Sequence, residues 1–241
     1  MAVSIDTVYQ KVLAIANKEQ RGYITPQEFN LFANQAQEEI FEQYFYDKTQ
    51  EGKKPTNSHV FLDVDQTLEE KIRLFERVYG VAAIAALPDT GNINIKVFDP
   101  RIVYRINKIE FNNNDCELVN TNDFNEFRFG GPLVRPTNLR PIANIRANQI
   151  RVVGDSGSLI VPTGIFYFQK PAKVSWGYFV IGGKALHDSD AAKTTDFELH
   201  PSEESELVYT ILKFAGLSMK QVDLLQAGQG METVQTTQEK R

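Results

Sequence analysis

Apolar positions at the start of the chain recur with a helical period. Ile5, Val8, Val12 and Ile15 fall on one stripe, and Tyr9, Leu13 and Ala16 widen it, so the spacing predicts an amphipathic helix. The pattern breaks at Arg21-Gly22 and restarts at Thr25-Pro26-Gln27-Glu28, which matches a capping box with proline at the first helical position. In that arrangement the Thr25 hydroxyl accepts the Glu28 N–H while the Glu28 carboxylate reaches back to Thr25. The helix it opens is predicted to place Phe29, Phe32, Ala33, Ala36, Ile40 and Tyr44 on one face, with Phe41 and Phe45 beside them. That face is wider than one partner helix needs, which predicts a bundle or a subunit contact. Residues 47–58 read as a loop. A third helical stretch is predicted over Leu68–Tyr79, with Leu68, Ile72, Phe75 and Tyr79 on one side.

From Ile93 the period changes to two. Ile93–Val97 alternates, Ile102–Phe111 is rich in β-formers, and short strand candidates follow at Gln149–Val153, Ser158–Val161 and Ile165–Phe168. Gly, Pro and Asn separate them, which predicts an antiparallel sheet or small barrel. Helical spacing returns at 201–226, where Leu207, Ile211, Phe214 and Leu217 share a face and Glu203 and Glu204 sit in the first turn. Gly216 interrupts that face and predicts a bend or two short helices. The expected fold class is therefore α+β, a helical bundle built from N- and C-terminal segments around an inserted antiparallel β-rich domain. The expected divisions are a helical segment 1–90, a β-rich insertion 91–185, a second helical segment 186–227 and an extended tail 228–241. The tail, GMETVQTTQEKR at its end, has almost no core-forming residues and is expected to be ordered only where a partner holds it.

Composition narrows the class. At 241 residues and 42% hydrophobic, the chain can bury a real core, and no run approaches the roughly 20 apolar residues that cross a bilayer. The first twenty residues lack a basic stretch, an apolar block and a small-residue cleavage site, so no secretory signal is read. With Cys116 as the one cysteine, an intrachain disulfide is excluded, as are zinc sites built on several thiolates. A net charge of −5 argues against a protein that coats DNA generally.

Candidate chemistry is sparse. The segment NKEQRGYITPQEF can be laid on a twelve-residue calcium loop, with Gly22 at the turn, Ile24 at the apolar position and Glu28 at the bidentate position. Its chelating positions then hold Asn17, Glu19 and Arg21, and a cation where an oxygen ligand is required predicts a capped helical corner that binds no calcium. His59, His187 and His200 share no motif, and His200-Pro201 reads as a helix start. Asp63 and Asp65 are explained by a helix N-terminus. Gly154-Asp155-Ser156-Gly157 resembles the active-site segment of some serine proteases, but it lies between two strand candidates and reads as a hairpin turn. No cofactor fingerprint is found. The chain is read as non-enzymatic, with no cofactor and no metal.

Charge is segregated more sharply than chemistry. Arg128, Arg135, Arg140, Arg146 and Arg151 occur with no acid among them, whereas residues 188–206 hold seven acids and one lysine. One reading is two ordinary solvated surfaces. Another pairs the arginines with carboxylates of a neighbouring subunit, Asp196, Glu198, Glu203 and Glu204 among them. A third sets the arginines on phosphate backbone without sequence readout.

Three segments carry a resemblance. Residues 14–45 (AIANKEQRGYITPQEFNLFANQAQEEIFEQYF), 168–178 (FQKPAKVSWGY) and 195–229 (TDFELHPSEESELVYTILKFAGLSMKQVDLLQAGQ) are similar to virion structural proteins of tailed phages of the crAss-like and podovirus type. The resemblance implies a head–tail connector or adaptor ring protein: helices of both termini form a bundle, a β-rich insertion lies between them, and typically twelve copies form a ring below the portal through which DNA passes. It implies as partners further copies of the chain, the portal and other neck or tail proteins, and non-specific contact with viral DNA, in the virion and without a membrane. It carries no catalytic residues. The competing readings are another virion part (a tail hub or head decoration protein), a degenerate calcium-binding hand and a hydrolase.

Overall fold

The computed structural model describes residues 3–18, 24–51, 59–188, 190 and 192–218. The chain is mixed α and β, and it divides into two compact units, Met1–Leu74 with Pro171–Arg241 and Phe75–Lys170. In chain order the first unit opens with helices α1 (Ile5–Lys18), α2 (Pro26–Glu51) and α3 (His59–Arg73). The second holds β1 (Glu76–Tyr79), α4 (Val81–Ala86), β2 (Ile95–Val97), β3 (Val103–Phe111), β4 (Asn114–Asp115), β5 (Glu117–Leu118), α5 (Thr121–Phe129), β6 (Ile142–Arg146), β7 (Gln149–Val153), β8 (Leu159–Ile160) and β9 (Gly164–Gln169). The chain then returns to the first unit with β10 (Tyr178–Ile181), β11 (Lys184–His187) and α6 (Glu204–Ser218). The N- and C-terminal helices thus flank a β-rich region, as the change of period predicts.

Helices α1, α2, α3 and α6 build the first core. Most of the stripe read from the sequence is buried, Ile5, Val8, Tyr9 and Val12 of α1, Phe29, Ala33, Ala36, Ile40, Phe41 and Tyr44 of α2, and Leu207 and Ile211 of α6; Ile15, Phe32, Phe45 and Phe214 are half-buried, and Val208 and Leu212 of α6 join the core instead. Trp176, the one tryptophan, is fully buried beside them. Its ring lies 4.1 Å from that of Tyr9, which meets Phe29 edge-on at 4.7 Å. The indole N–H donates to Asp6 Oδ1 at 2.9 Å, the kind of partner a buried indole needs.

The returning segment 172–176 is held by a polar row on α2. Asn30 Oδ1 accepts from the Trp176 N–H (2.8 Å) and its amide nitrogen donates to the Trp176 carbonyl (3.4 Å). One turn on, Asn34 does the same to Val174, at 2.9 Å in both directions. Gln37 donates to the Ala172 carbonyl at 2.8 Å and accepts from the Glu198 N–H at 3.2 Å. Residues 30, 34 and 37 lie along one helix row, and 172, 174 and 176 along one edge of an extended chain, so two periods are matched by three amide side chains. A β-bridge from Ser175 to Thr195, and another from Val3 to Phe197, tie further chain ends to the same place. Asp196 Oδ1 accepts from the Ile5 N–H at 2.9 Å and so satisfies a first-turn donor of α1.

The second unit is two sheets with a shared core. One has the order β1-β9-β3-β4, all antiparallel. The other has the order β2-β7-β6-β5, with β8 also on β7, and only β5–β6 is parallel. Ile106 and Ile109 of β3 and Ile165 and Tyr167 of β9 pack with Ala143, Ile150 and Val152 of β6 and β7, and with Ile84 of α4. Cys116 is buried in that core, and burial pushes its thiol up to about 12. On the opposite face of the second sheet, Phe124 of α5 packs with Ile142 and Val153.

Several elements differ from the sequence expectation. The third helix ends at Arg73, and Glu76–Tyr79 is a strand: Tyr79 stacks on Tyr167 with ring centroids 4.4 Å apart, and pairing with β9 outweighs a helical spacing that Phe75 and Tyr79 happen to continue. Helix α2 runs into the expected loop as far as Glu51, where the Thr49 hydroxyl bonds the Phe45 carbonyl and Lys48 meets Glu69 of α3. Helix α3 begins at His59, so Asp63 and Asp65 lie inside it and not at its N-terminus. Helix α6 passes through Gly216 to Ser218 without interruption. Because β1 belongs with β9, the β-rich unit occupies 75–170, where the sequence texture places it at 91–185. The tail 228–241 lies outside the described residues.

The amide row is testable. Asn34→Ala removes both partners of Val174, a buried residue, and leaves a backbone donor and acceptor unmatched. The expected cost is about 1–3 kcal/mol in urea unfolding followed by Trp176 fluorescence, and Asn34→Asp, which keeps only the acceptor, should fall between.

Candidate functional site

The capping box forms as the sequence predicts. Glu28 N–H donates to Thr25 Oγ1 at 3.3 Å, and Thr25 N–H donates to Glu28 Oε2 at 3.0 Å. The Thr25 hydroxyl also donates to that carboxylate at 2.7 Å, and these bonds hold the Glu28 carboxyl below its ordinary range. Glu28 is thereby committed to the helix start. Of the remaining calcium-loop positions, Glu19, Arg21 and Gly22 lie outside the described residues.

The Gly154–Gly157 segment is the turn between β7 and β8, which pair antiparallel. Its glycines are explained by close approach. A Cβ at Gly157, where φ is +75°, would lie 2.5 Å from the Arg128 carbonyl oxygen, and one at Gly154 would lie 2.3 Å from Asn138 Oδ1. Asp155 and Asn138 exchange backbone and side-chain bonds, Asn138 N–H to Asp155 Oδ1 at 2.9 Å and Asp155 N–H to Asn138 Oδ1 at 3.1 Å. The motif is a clamp that pins the loop 130–140 to the sheet.

The histidines do not converge. His200 Nδ1 accepts from the Ser202 N–H and caps the turn Pro201–Glu203 ahead of α6, the helix start that His200-Pro201 predicts. His187 ends β11 with its ring stacked on Trp176 at 5.7 Å. His59 is the first residue of α3. Among the described residues, no three or more His, Cys, Asp or Glu side chains gather as metal ligands would. No helix among them is long and apolar enough to cross a membrane.

The five arginines belong to one stretch, α5, its following loop, β6 and β7. Arg128 closes α5, donating through Nε to the Gly157 carbonyl at 3.0 Å and lying 5.0 Å from the Phe129 ring. Arg135 is exposed and donates to the Gly130 carbonyl at 2.8 Å, and Arg140 and Arg146 are exposed. Arg151 is half-buried with its Nε unmatched. Strand alternation puts Arg146 and Arg151 on the sheet face that α5 covers. None of the five forms an ion pair with a described acid of its own chain.

The loop carries apolar side chains among these cations. Leu133 is 100% exposed, Leu139 78% and Phe129 70%, with Val134 exposed beside them. Sequence reading singled out the arginines and missed the leucines; the signal is the run Phe129-Gly-Gly-Pro-Leu-Val, apolar residues beside turn formers that cannot bury them.

The four acids divide two and two. Glu203 is fully buried, and Lys71 Nζ lies 2.6 Å from its Oε1, with the ammonium 5.8 Å from the Tyr44 ring centroid. Burial raises the Glu203 carboxyl, but hydrogen bonds from Glu206, Lys71 and Ser202 outweigh it and hold the group below its ordinary range. Glu204 pairs with Lys11 at 2.8 Å. These two work inside their own unit. Asp196 and Glu198 are exposed and bond only backbone N–H groups, of Ile5 and Ala172, so their charge meets no described cation.

Neither a family model nor a curated protein matches the chain.

Two outcomes are expected. Thr25→Ala should cost about 1 kcal/mol of stability, equally with and without calcium, and a calorimetric titration should detect no micromolar site. Glu203→Ala removes the carboxylate that lies 2.6 Å from the Lys71 ammonium, and breaking this buried pair should cost about 3 kcal/mol. Since the folded Glu203 carboxyl is depressed, its contribution is complete above the ordinary carboxyl range and is lost as the pH falls through the lower folded value. Urea midpoints taken on acidification should therefore fall more steeply for the wild type than for the variant.

Proposed function

We propose that the chain is a structural subunit of a tailed-phage particle, a head–tail connector or adaptor that assembles into a ring below the portal. One observation carries the reading. The loop 129–140 holds Leu133, Leu139 and Phe129 in solvent beside arginines that pair with no described acid of their own chain. Large apolar side chains held in solvent on one short stretch suit an interaction site, and cations near them favour an acidic partner. Charge segregated onto two stretches of one sequence suits a contact between unlike surfaces of identical copies, which repeats from copy to copy and closes when the rotation allows. The resemblance of residues 14–45, 168–178 and 195–229 to phage virion proteins supports a ring in the neck of the virion, in contact with the portal and other neck or tail proteins. DNA passing through such a ring meets the arginines only if they face the channel.

In this reading the protein works by shape and adhesion, with no cofactor and no catalytic group. Its expected behaviour is direct to measure. Purified full-length protein should sediment as a multimer whose mass rises with concentration, and class averages should show closed rings. A monomer throughout, with no rings in the images, would overturn the proposal. If the arginines line the channel, charge reversal at Arg146 should leave ring formation intact and lower genome retention. If they bind a neighbour, ring formation itself should fail.

A further inference from the structure

The second sheet has one face that divides into an apolar end and a polar end. Alternation along β6 and β7 puts Ile142, Asn144, Arg146, Gln149, Arg151 and Val153 on that face. The register pairs Ile142 with Val153, Asn144 with Arg151 and Arg146 with Gln149. Phe124 of α5 packs on Ile142 and Val153, the apolar end. Helix α5 starts level with Asn144, whose amide nitrogen donates to the Val119 carbonyl at 2.9 Å and lies 3.5 Å from Thr121 Oγ1. It ends where Arg128 meets the Gly157 carbonyl. The polar end of the face therefore opens at the start of α5, where Arg146 is exposed and Arg151 half-buried.

Unmatched polar groups collect there. Arg151 Nε is buried without an acceptor, and Asn144 Oδ1, on a side chain only 2% exposed, is buried without a donor. The register sets these two residues directly opposite each other. Asn144 cannot turn its amide over to relieve this, because its nitrogen already serves the Val119 carbonyl. Arg146 lies on the diagonal from Arg151, a separation of about 7–8 Å that long side chains span. Neither arginine forms an ion pair with a described acid. Asn120 precedes α5 without a side-chain cap, and the N–H groups of Thr121, Asn122 and Asp123 have no described acceptor. A helix start in that state favours an anion.

These groups together specify a ligand. Two guanidinium groups and a helix start suit an anion with charge spread over several oxygens, whereas a carboxylate is satisfied by a single guanidinium fork. Asn144 Oδ1 requires something more, a donor on the same ligand. Hydrogen phosphate has both. Its charged oxygens can accept from Arg146, Arg151 and the first turn of α5, and its hydroxyl can donate to Asn144. Sulfate has a similar shape and charge but no hydroxyl at neutral pH, and a carboxylate has none either. Two exposed acids stand near this face, Asp123 in the first turn of α5 and Glu117, which β5 pairs with Ile142 at the apolar end. Asp123 is the one placed to weaken the attraction for an anion.

We propose that Arg146, Arg151, Asn144 and the start of α5 form a binding site for a phosphate group that carries a hydroxyl. Inorganic phosphate and the protonated phosphate of a monoester share that chemistry, and the diester backbone of a nucleic acid does not. The site lies within one copy of the chain and does not depend on the ring reading.

Equilibrium dialysis of the full-length protein against radiolabelled inorganic phosphate, in a buffer free of sulfate, tests it. One site per chain is expected. Arg151→Gln and Arg146→Gln should each weaken binding about tenfold or more, with circular dichroism and urea midpoints unchanged because neither side chain has an ion-pair partner to lose. Arg146 is exposed, so its variant keeps the test intact if the Arg151 variant folds poorly. Asp123→Asn should tighten binding. Sulfate should displace phosphate about tenfold less effectively than unlabelled phosphate does, which reads the part of Asn144 without disturbing the anchor of α5. Ribose 5-phosphate separates the two sources: displacement stronger than that by phosphate assigns the site to monoesters, and weaker displacement assigns it to free phosphate.

Four results would overturn the proposal. Absence of phosphate binding removes the site. Binding that survives both arginine substitutions lies elsewhere on the chain. Sulfate as effective as phosphate means a cationic patch in which Asn144 has no part. A single-stranded oligonucleotide that binds through the same arginines more tightly than phosphate means that the face takes a diester backbone.

Discussion

The first unit depends on one ladder of amide bonds, from Asn30, Asn34 and Gln37 of α2 to the backbone of residues 172–176. The chain leaves this unit after Leu74 and comes back at Pro171. An extended segment returning among helices has backbone groups that no helix can match, and an unmatched buried amide costs about 1–3 kcal/mol. The amide side chains present donor and acceptor together, so α2 serves the segment as a neighbouring strand would. The rest follows from that seat. Trp176 is placed against Tyr9 and Asp6, Ser175 is placed to bridge Thr195, and the ribbon that begins at Tyr178 is rooted on Trp176.

Much of this was legible where period and local chemistry agree. The apolar stripe of α1, the Thr25 box and the limits of β7 can be read from a few residues each, because burial and hydrogen bonding there are settled within one element. What was not legible depends on partners far away in sequence. Phe75 and Tyr79 fit a helix until β9 supplies a strand to pair with Val78 and Tyr79. The polar row of α2 lies among alanines, and only the returning chain shows why it is Asn, Asn and Gln. Gly216 was expected to bend α6, but buried Ile211, Leu212 and Ala215 hold the helix straight through a residue that weakens it by about 1 kcal/mol. The ribbon was legible and overlooked. Tyr-Phe-Val-Ile, Gly-Gly and Lys-Ala-Leu-His is a strong hairpin signal in its own right, apart from the β-rich stretch that precedes it.

Charge was legible as a count and not as an assignment. Seven acids in nineteen residues suggest one surface, yet Glu203 is a buried ion-pair partner, Glu204 a half-buried one, and Asp188 the anchor of Lys193. Glu203 shows the difference in magnitude. A carboxylate taken wholly out of water must be matched by a cation and further hydrogen bonds, so it is fixed in place and has nothing to offer a neighbour. Asp196 and Glu198 accept the Ile5 and Ala172 N–H groups and keep their charge at the surface.

The same distinction applies to the cations and explains why the apolar residues matter more than the charges. An exposed pair contributes about 0–1 kcal/mol, so arginines at the surface can steer an encounter but hold little by themselves. Burial of a leucine or isoleucine side chain contributes about 1.5–3 kcal/mol, and a desolvated arginine–carboxylate pair at the rim of such a contact is worth more than the same pair in water. The loop supplies both kinds of residue because the Asp155–Asn138 clamp and the close approach of Gly154 and Gly157 fix where it leaves the sheet. The glycines of that motif therefore act through position: they let a turn pack tightly enough to fix a loop that keeps Leu133 and Leu139 in solvent.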